Sequence, residues 1–416
     1  MTNRRHFLQA GALTLSSLGL PNLSFSDDKF KDKSVIFVFL AGGATHYETF
    51  TAIPTAKDKY RSVIDYVPTK HGFHLGGLWE KIAGLSDMYS VVHSFTHSNA
   101  GHQSGTNWVH TGYNFNDENQ GAIQINPSYG SIISRSFGSN NPVNGVPTYV
   151  ALSKIFGQNS AYLGSAYNPF TFDEQGKKSL TLSIENDRFV NRKDVLRMLD
   201  TRFTEDRSAK ILDSHKNQAF NILAGDVNKC FEISLESEET KKLYGDNAFA
   251  KQLMLARRLI QNGSRFVSAI HGGWDNHTDI QEALGRMVPE VDNALYALLT
   301  DLKNQGMLDS TMVVVSTEFG RTPLNSGSDG QGNTRKPGRD HAPGVTPLLI
   351  AGGNYQGKGA LGKVDANGFT VTDSPYHPID LLHTILNHVE INPKGQFIDL
   401  SGRPRYIIDG ESKIIV

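Results

Sequence analysis

Residues 266–277 read FVSAIHGGWDNH, an apolar strand-like run followed by a glycine turn that carries an aspartate and a second histidine. A divalent cation requires oxygen and nitrogen donors at about 2 Å to replace the water that it loses on binding. Asp275 and His277 are two positions apart, so in an extended segment their side chains face the same way and can chelate one ion. The competing interpretation is a Gly-Gly turn in which Asp275 only caps backbone amides. His271, at the end of the same run, favours the metal.

The pattern of a strand followed by an acid recurs at residues 313–321, which read VVVSTEFGR. Glu318 follows the apolar run and Arg321 comes soon after it, so an acid and a guanidinium share one strand end. Both a metal ligand and a simple ion pair fit this arrangement.

A third acid–imidazole cluster, Asp340 and His341, precedes the apolar run at residues 345–350. It lies between a Gly/Ser/Asn-rich loop and a predicted strand, where a histidine can reach back over the sheet. By itself His341 would be interpreted as a surface residue. Together with the two other clusters, it is predicted to donate a further metal ligand.

The remaining apolar runs alternate between strand and helix periodicity, which is typical of a parallel α/β sheet. We predict strands at residues 34–41, 88–92, 146–152, 265–270, 311–316 and 345–350, and helices at residues 246–263, 287–304 and 378–389. In such sheets ligands bind at the carboxyl ends of the strands, which is where the acids stand. The more polar segment from about residue 156 to 242 is predicted to be an insertion or cap.

The N-terminus has the pattern of an export signal. Residues 3–9 read NRRHFLQ, an apolar segment follows at 10–20, and Ser24-Phe25-Ser26 offers small residues for cleavage. Paired arginines followed by Phe-Leu indicate a twin-arginine leader, residues 1–26. An amphipathic first helix is the competing interpretation, but Gly11, Gly19 and Pro21 would break it early. We therefore expect a periplasmic or secreted protein in which residues 27–416 form a single domain.

Composition excludes several classes of partner. Lys and Arg total 41 against 42 Asp and Glu, so there is no bulk attraction for nucleic acid or for an anionic membrane. Beyond the leader, no segment reaches the roughly 18 to 20 consecutive apolar residues of a membrane span. The single cysteine, Cys230, cannot form an internal disulfide, so stability must come from the core.

Histidines and hydroxyls crowd into residues 93–102, which read HSFTHSNAGH. Ser98 and Thr96 are candidate nucleophiles, and His102 is a candidate base or ligand. A hydroxyl is a poor nucleophile until a metal or a base lowers its pKa, so nearness to a metal would matter. The competing interpretation is a set of hydroxyl-capped turns with solvated histidines.

Taken in order, these segments resemble the DUF1501 family. That family is an exported branch of the alkaline phosphatase-like superfamily, which also contains sulfatases and cofactor-independent phosphoglycerate mutases. The resemblance implies a three-layer α/β/α sandwich with a mostly parallel central sheet and a metal centre at the strand carboxyl ends. Besides the leader, it rests on FLAGGATH at 39–46, the segment 93–112, LARRL at 255–259, GWDNH at 273–277, EFGRTP at 318–323 and GRDH at 338–341.

The resemblance also implies roles for individual residues. Residues 98–102, SNAGH, resemble the nucleophile loop Ser-Glu-Val-Gly-His of the mutases, which makes Ser98 and His102 catalytic candidates. Asp275, His277 and His341 fall where one metal is bound in that superfamily. The full set of predicted metal ligands is Asp275, His277, Glu318, Asp340 and His341.

The chain departs from the superfamily pattern at the second metal position. Ala41-Gly42-Gly43 stands where the first strand normally ends in an aspartate, and Glu318-Phe319 replaces an Asp-His pair. Because a phenyl ring cannot bind an ion, the second site is predicted to be eroded, or rebuilt with His46 or Glu48.

These observations predict a metal-dependent hydrolase of phosphate or sulfate esters that uses one Zn²⁺ or Mn²⁺ ion. Arg321 or Arg339 would neutralise charge on the ester of a small molecule or glycan. The alternative is a non-catalytic exported protein with one structural metal that binds a polyanionic glycan or an envelope partner. A metal-free serine hydrolase is disfavoured because the chain has no Gly-x-Ser-x-Gly motif.

Overall fold

A computed structural model describes residues 33–114, 124–173, 227–325 and 335–416. The predicted leader, residues 1–26, lies outside this part of the chain. In chain order the strands are β1 (Ser34–Leu40), β2 (Tyr66–Pro68), β3 (His74–Gly76), β4 (Tyr89–Val92), β5 (Tyr149–Ala151), β6 (Phe170–Thr171), β7 (Phe266–His271), β8 (Thr311–Ser316), β9 (Gly320–Arg321), β10 (His341–Ala342), β11 (Leu348–Ala351), β12 (Gly359–Leu361), β13 (Lys363–Val364), β14 (Val371–Asp373), β15 (Gln396–Ile398) and β16 (Pro404–Tyr406).

Helices connect and cover these strands. The α-helices are α1 (Glu80–Ala83), α2 (His102–Thr111), α3 (Tyr129–Phe137), α4 (Val227–Phe231), α5 (Glu238–Tyr244), α6 (Ala248–Gln261), α7 (Ile280–Asn304) and α8 (Pro378–His388). Short 3₁₀ helices lie at Asp58–Tyr60, Ser86–Met88, Ala161–Leu163, Ser165–Tyr167, Ile233–Leu235 and Gly353–Tyr355. None of the helices in the described ranges is long and apolar enough to cross a membrane.

The main sheet has eight strands in the order β12-β4-β11-β8-β1-β7-β5-β6. Every neighbouring pair is parallel except those that β11 makes with β4 and β8. The expectation of a parallel strand at residues 345–350 is therefore wrong in direction. The described chain between β8 and β11 contains no helix, and a parallel return would need a long crossover. Because β11 runs backwards, the residues before it reach the edge where the other strands end.

Strand β1 shows why the fold has three layers. Ile36 and Val38 enter one hydrophobic cluster, whereas Phe37 and Phe39 enter a second cluster on the opposite face of the sheet. Side chains of α6 and α7 build the first cluster, and those of α2, α3 and α8 build the second. A strand buried on both faces needs helices above and below it. The predicted α/β class with a mostly parallel central sheet is confirmed.

Two helix starts differ from the sequence predictions. The N-cap of α6 is Asn247 rather than Asp246, because the Asn247 side chain accepts hydrogen bonds from the amides of Phe249 and Ala250. Helix α7 begins at Ile280, about two helical turns before the predicted residue 287. Ile280 and Leu284 are buried and continue the apolar stripe of the helix.

The described flanks of the predicted insertion belong to the main unit. Strand β6 extends the sheet beside β5, and the ring of Phe231 in α4 lies 5.6 Å from that of Phe170 and 4.7 Å from that of Phe172. Residues 174–226, the middle of the segment predicted as a cap, lie outside the described residues.

Candidate metal centre

Asp275 is held by the close approach of two strand-end loops. The Trp274 amide donates to the carbonyl of Ala41 at 3.2 Å, and Trp274 is buried. Gly42, at φ 119°, makes this approach possible, since a Cβ there would lie 2.6 Å from the Asp275 nitrogen. The loops after β1 and β7 therefore pack backbone to backbone and fix the position of the Asp275 carboxylate.

Three imidazoles from separate parts of the chain converge on that carboxylate. The Nε2 atoms of His277 and His341 lie 2.9 and 3.1 Å from Oδ1 of Asp275. The Nε2 atom of His102, at the start of α2, lies 3.3 Å from Oδ2. Potential ligand atoms of His102, Asp275 and His341 all lie within 4.8 Å of one another. The structure thus brings together the predicted Asp275, His277 and His341 and adds His102 to them.

The second ring nitrogen of each histidine has an oxygen acceptor. Acceptors lie 2.8 Å from Nδ1 of His102, 2.6 Å from Nδ1 of His277 and 2.8 Å from Nδ1 of His341. They are, in that order, carboxylate oxygens of Glu318 and Asp340 and the carbonyl of Ala100. Because a carbonyl or a carboxylate can only accept, each Nδ1 carries the hydrogen, and a neutral ring turns the Nε2 lone pair towards Asp275.

This arrangement fits a bound cation. Burial lowers the pKa of His341, so its ring is neutral near pH 7. A neutral Nε2 at 3.1 Å from a carboxylate oxygen places two lone pairs face to face, and a cation between them removes the repulsion. Metal-binding histidines characteristically donate their other N–H to a carboxylate or carbonyl, which fixes the ring and its tautomer. The donor set of imidazoles and one carboxylate suits Zn²⁺ or Mn²⁺.

Arg321 keeps Asp275 ionised. Its Nη2 lies 2.6 Å from Oδ1 of Asp275, and its Nε donates to the Gly43 carbonyl at 2.7 Å. Burial by itself would raise the pKa of Asp275, but the hydrogen bond from Arg321 and its charge outweigh it and hold that pKa well below its usual range. Arg321 is only 1% exposed and its donors face the protein, which corrects its predicted contact with a bound ester.

Arg339 lies away from the centre in a fully buried ion pair. Its Nη2 is 2.7 Å from Oε1 of Glu48, and its guanidinium lies 4.3 Å from the ring centre of Tyr47. The other N–H groups donate to backbone carbonyls of Lys59, Arg61 and Thr322. The predicted role of Arg339 on an ester is therefore wrong. The pair instead anchors the segment that continues into Asp340 and His341.

Glu318 and Asp340 stand behind the histidines rather than among the ligands. Glu318 is buried and its Oε1 also accepts from the Gly42 amide at 2.8 Å, while Asp340 is exposed. The hydrogen bond to Glu318 raises the pKa of His102. Neither acid belongs to the group whose ligand atoms are close enough to share an ion. The predicted direct ligation by these two acids is corrected to orientation of His102 and His277.

Phe319 stands where the resemblance implies a histidine ligand of a second metal. This ring is fully buried, with its centre 5.2 Å from that of His102 and 4.3 Å from that of His341. A Cβ on Gly43 would lie 2.2 Å from it, so the glycine leaves room for the phenyl ring. In the described ranges, one cluster of His, Cys, Asp or Glu is compact enough to hold an ion.

The residues proposed to rebuild a second site lie elsewhere. His46 is fully buried, and burial, with the charge of Arg339, lowers its pKa to about 3. Glu48 is committed to Arg339. His271 turns away from Asp275, because its Nδ1 accepts from Trp274 and its Nε2 lies 3.7 Å from Glu290.

Ser98 is exposed on the loop that borders the centre. Its neighbour His97 donates from Nε2 to the Glu318 carbonyl at 2.7 Å, and the Ala100 carbonyl holds His341. His102 was predicted as a catalytic residue, with a base or a ligand as its role, whereas nothing in the sequence pointed to the Ala100 carbonyl. The position of His102 directly after Gly101, at the first turn of a helix, was the available indication that its ring is fixed.

The chain is an α/β/α sandwich with an acid–imidazole cluster above its strand carboxyl ends, the edge at which α/β sheets bind ligands. The chain belongs to the DUF1501 family, since the family model described as "Protein of unknown function (DUF1501)" matches residues 32–416. The predicted family is thereby confirmed.

Several solved structures are similar to this chain. The PsFucS1 sulfatase from Pseudoalteromonas sp. is 12% identical, with 94% of this chain and 72% of that one covered and a TM-score of 0.42. Alkaline phosphatase from the Antarctic bacterium TAB5 is 12% identical, with 87% and 99% covered and a TM-score of 0.38. The lipoteichoic acid synthase LtaP from Listeria monocytogenes is 12% identical, with 90% and 76% covered and a TM-score of 0.33. No curated protein matches the sequence.

Proposed function

We propose that this protein is an exported, metal-dependent hydrolase of phosphate or sulfate esters. The observation that supports the proposal is the set of three imidazoles that turn Nε2 towards one ionised carboxylate while an acceptor holds each Nδ1. Asp275, His102 and His341 would hold the ion, and His277 lies beside them with its Nε2 2.9 Å from Oδ1 of Asp275. When bound, such an ion polarises a phosphoryl or sulfuryl oxygen and lowers the pKa of a nearby hydroxyl or water.

The centre is open to a substrate. The side chains of Asp275 and His102 are 45% and 41% exposed, so an ester can reach their atoms from solvent. A water or Ser98 would attack the phosphorus or sulfur: a new P–O or S–O bond forms, the bond to the ester oxygen breaks, and the proton of the attacking hydroxyl ends on the departing alcohol. If Ser98 attacks, a water then hydrolyses the ester formed on the serine and restores its hydroxyl. Arg321 keeps Asp275 charged, and Glu318 and the Ala100 carbonyl keep the rings aligned during that exchange.

Metal content and turnover test the proposal together. Elemental analysis of the purified mature protein should give one equivalent of a divalent transition metal, and Asp275→Ala should abolish its uptake. The control Asp246→Ala changes an exposed acid that pairs with Lys251 on α6 and should leave both measurements unchanged. Full metal occupancy in Asp275→Ala would show that the ligand assignment is wrong.

Hydrolysis is measured with 4-nitrophenyl phosphate and 4-nitrophenyl sulfate in the presence of Zn²⁺, Mn²⁺ or Ca²⁺. Ser98→Ala should lose turnover and keep the metal if the serine is the nucleophile, and should keep both if water is. Export is tested by Arg4→Lys with Arg5→Lys, since the twin-arginine pathway reads both positions. Unchanged periplasmic or secreted protein in that variant would contradict the proposed route.

A second candidate is a non-catalytic exported protein that keeps one structural metal and binds a glycan or an envelope partner. Its specific support is that Arg321 and Arg339 are both buried with their donors committed to the protein. One equivalent of metal without turnover of either ester would favour it over the hydrolase.

A further inference from the structure

A cleft of about 660 Å³ lies beside the loop that borders the metal centre. One wall contains Thr96 and Gly344, and the other is residues 369–375, which include strand β14. The volume lies within the range of small-molecule sites. Residues of the site described above do not line it, so it is a separate feature of the same sheet edge.

Chain geometry places the cleft next to the candidate nucleophile. Phe95 and His97 are buried, whereas Thr96 is half-buried and Ser98 is exposed. Thr96 lines the cleft, and its Cα lies at most about 7 Å from that of Ser98. The His97 amide donates to the Pro343 carbonyl, directly before Gly344. Gly344 in the cleft wall follows His341 of the candidate metal centre by three residues, so their Cα atoms are at most about 11 Å apart.

The lining is rich in hydroxyls and carries little charge. Thr370, Thr372 and Ser374 add hydroxyls to that of Thr96, and the exposed Asp373 contributes a carboxylate. Hydroxyls both donate and accept, which suits the same groups on a ligand. The residues that line the cleft include neither lysine nor arginine, so the cleft offers no cationic partner to a second anionic group on the ligand.

Phe369, Val371 and Pro375 add apolar surface between these hydroxyls. The ring of Phe369 is half-buried, with its centre 6.0 Å from that of Tyr60. An aromatic face packs against the C–H groups of a ring compound, while surrounding hydroxyls pair with its polar rim. The combination matches a neutral, polyhydroxylated ring better than it matches a nucleotide or a polysulfated chain.

We propose that this cleft binds the neutral sugar or polyol that carries the ester, an inference that rests on the proposed function. The substrate is then a monoester on an otherwise uncharged polyhydroxylated group. Specificity comes from Phe369 and the hydroxyls around it, and the metal centre acts on the ester itself.

Gly344 is a suitable position for a substitution that blocks the cleft. Its φ is not positive, and an added Cβ would make only an ordinary contact, 3.5 Å from the Phe369 carbonyl. Gly344→Leu should therefore fill the cleft without backbone strain. The matched control is Gly285→Leu on an exposed face of α7, where a Cβ would meet nothing within 4 Å. Thr372→Trp, at an exposed position of the same wall, is a second blocking variant.

Binding is measured on the full mature protein without metal, by saturation-transfer NMR with maltotriose, cellotriose and triacetylchitotriose and with dextran sulfate as the polyanion. At least one neutral trisaccharide should bind, and both blocking variants should weaken it tenfold or more while Gly285→Leu does not. Absence of neutral binding, equal binding by the blocking variants, or cleft-dependent binding of dextran sulfate instead would overturn the proposal.

Turnover separates this inference from the proposed function. With metal added, Gly344→Leu should raise KM for glucose 6-phosphate or glucose 6-sulfate tenfold, and Gly285→Leu should leave both KM values unchanged. Cleft-dependent trisaccharide binding without hydrolysis of any ester would contradict the hydrolase and leave the cleft assignment standing. Hydrolysis of aryl esters with no saccharide binding would support the hydrolase and contradict the cleft assignment.

Discussion

Replacing Glu318 by glutamine should weaken metal binding without removing a ligand. The carboxylate accepts from Nδ1 of His102 at 2.8 Å and is buried, so solvent cannot substitute for it. A charge-assisted hydrogen bond is roughly twice as strong as a neutral one. Loss of such a partner behind a metal-binding histidine typically costs about 10- to 100-fold in metal affinity. We therefore expect Glu318→Gln to lose about 1.4 to 2.7 kcal/mol of binding free energy.

The matched comparison is Asp340→Asn, which changes the partner of His277. The Asp340 side chain is 57% exposed, so water can replace its contact and the loss in affinity should be below about threefold. Affinity is measured by competing Zn²⁺ against a chromophoric chelator, and the ligand field by the visible spectrum of the Co²⁺ form. Thermal unfolding of the metal-free variants controls for damage to the fold.

The pH dependence of Glu318→Gln distinguishes orientation from general destabilisation. The bond to Glu318 raises the pKa of His102, so protons displace the metal as pH falls through that raised pKa. Without the carboxylate the pKa of His102 drops, and acid loss of metal should move to lower pH even though affinity at pH 7.5 falls. Equal affinity for the wild type and Glu318→Gln, or a larger loss in Asp340→Asn, would refute the assignment of His102 as a ligand.

Three further predictions follow from packing and charge. Arg339→Met leaves the buried carboxylate of Glu48 without its partner and should lower the free energy of unfolding by about 3–5 kcal/mol in urea titrations. A change below about 1 kcal/mol would contradict the buried pair. Gly43→Ala should lower the melting temperature more than Gly72→Ala does. Both glycines have positive φ, but only a Cβ at Gly43 would meet the Phe319 ring, at 2.2 Å. Equal melting temperatures of the two variants would exclude the clash. Because the folded pKa of Asp275 is depressed, its contribution to stability is complete above the ordinary value of 3.8 and disappears as pH falls through the folded pKa. In the metal-free protein, Asp275→Asn should make the melting temperature depend less on pH in this acidic range.

The strands of the central sheet could be predicted closely from the sequence. Strand β1 was predicted at residues 34–41 and β8 at 311–316, and both agree with the structure to within one residue. Continuous apolar runs mark strands that are buried on both faces, so the signal is local. Helix α7 was predicted to start at residue 287, whereas it begins at Ile280, and the buried side chains of Ile280 and Leu284 continue its apolar stripe.

The direction of a strand is a different kind of information. The apolar run at residues 345–350 correctly predicted a strand, β11, but its direction was predicted wrongly, because strand pairing depends on neighbours far away in the sequence. That direction matters for the site. It carries His341 to the same edge as the ends of β1, β7 and β8.

By itself, the sequence determined the α/β class, the family and the acids and imidazoles at the strand ends, because apolar periodicity and strand-terminal motifs are local properties of the chain. Only the tertiary structure decided which of these groups meet. His102 and Asp275 approach within 3.3 Å, while Arg339 is drawn into a buried pair with Glu48. Buried charges must find partners wherever the fold supplies them, and residue spacing along the chain does not encode that choice.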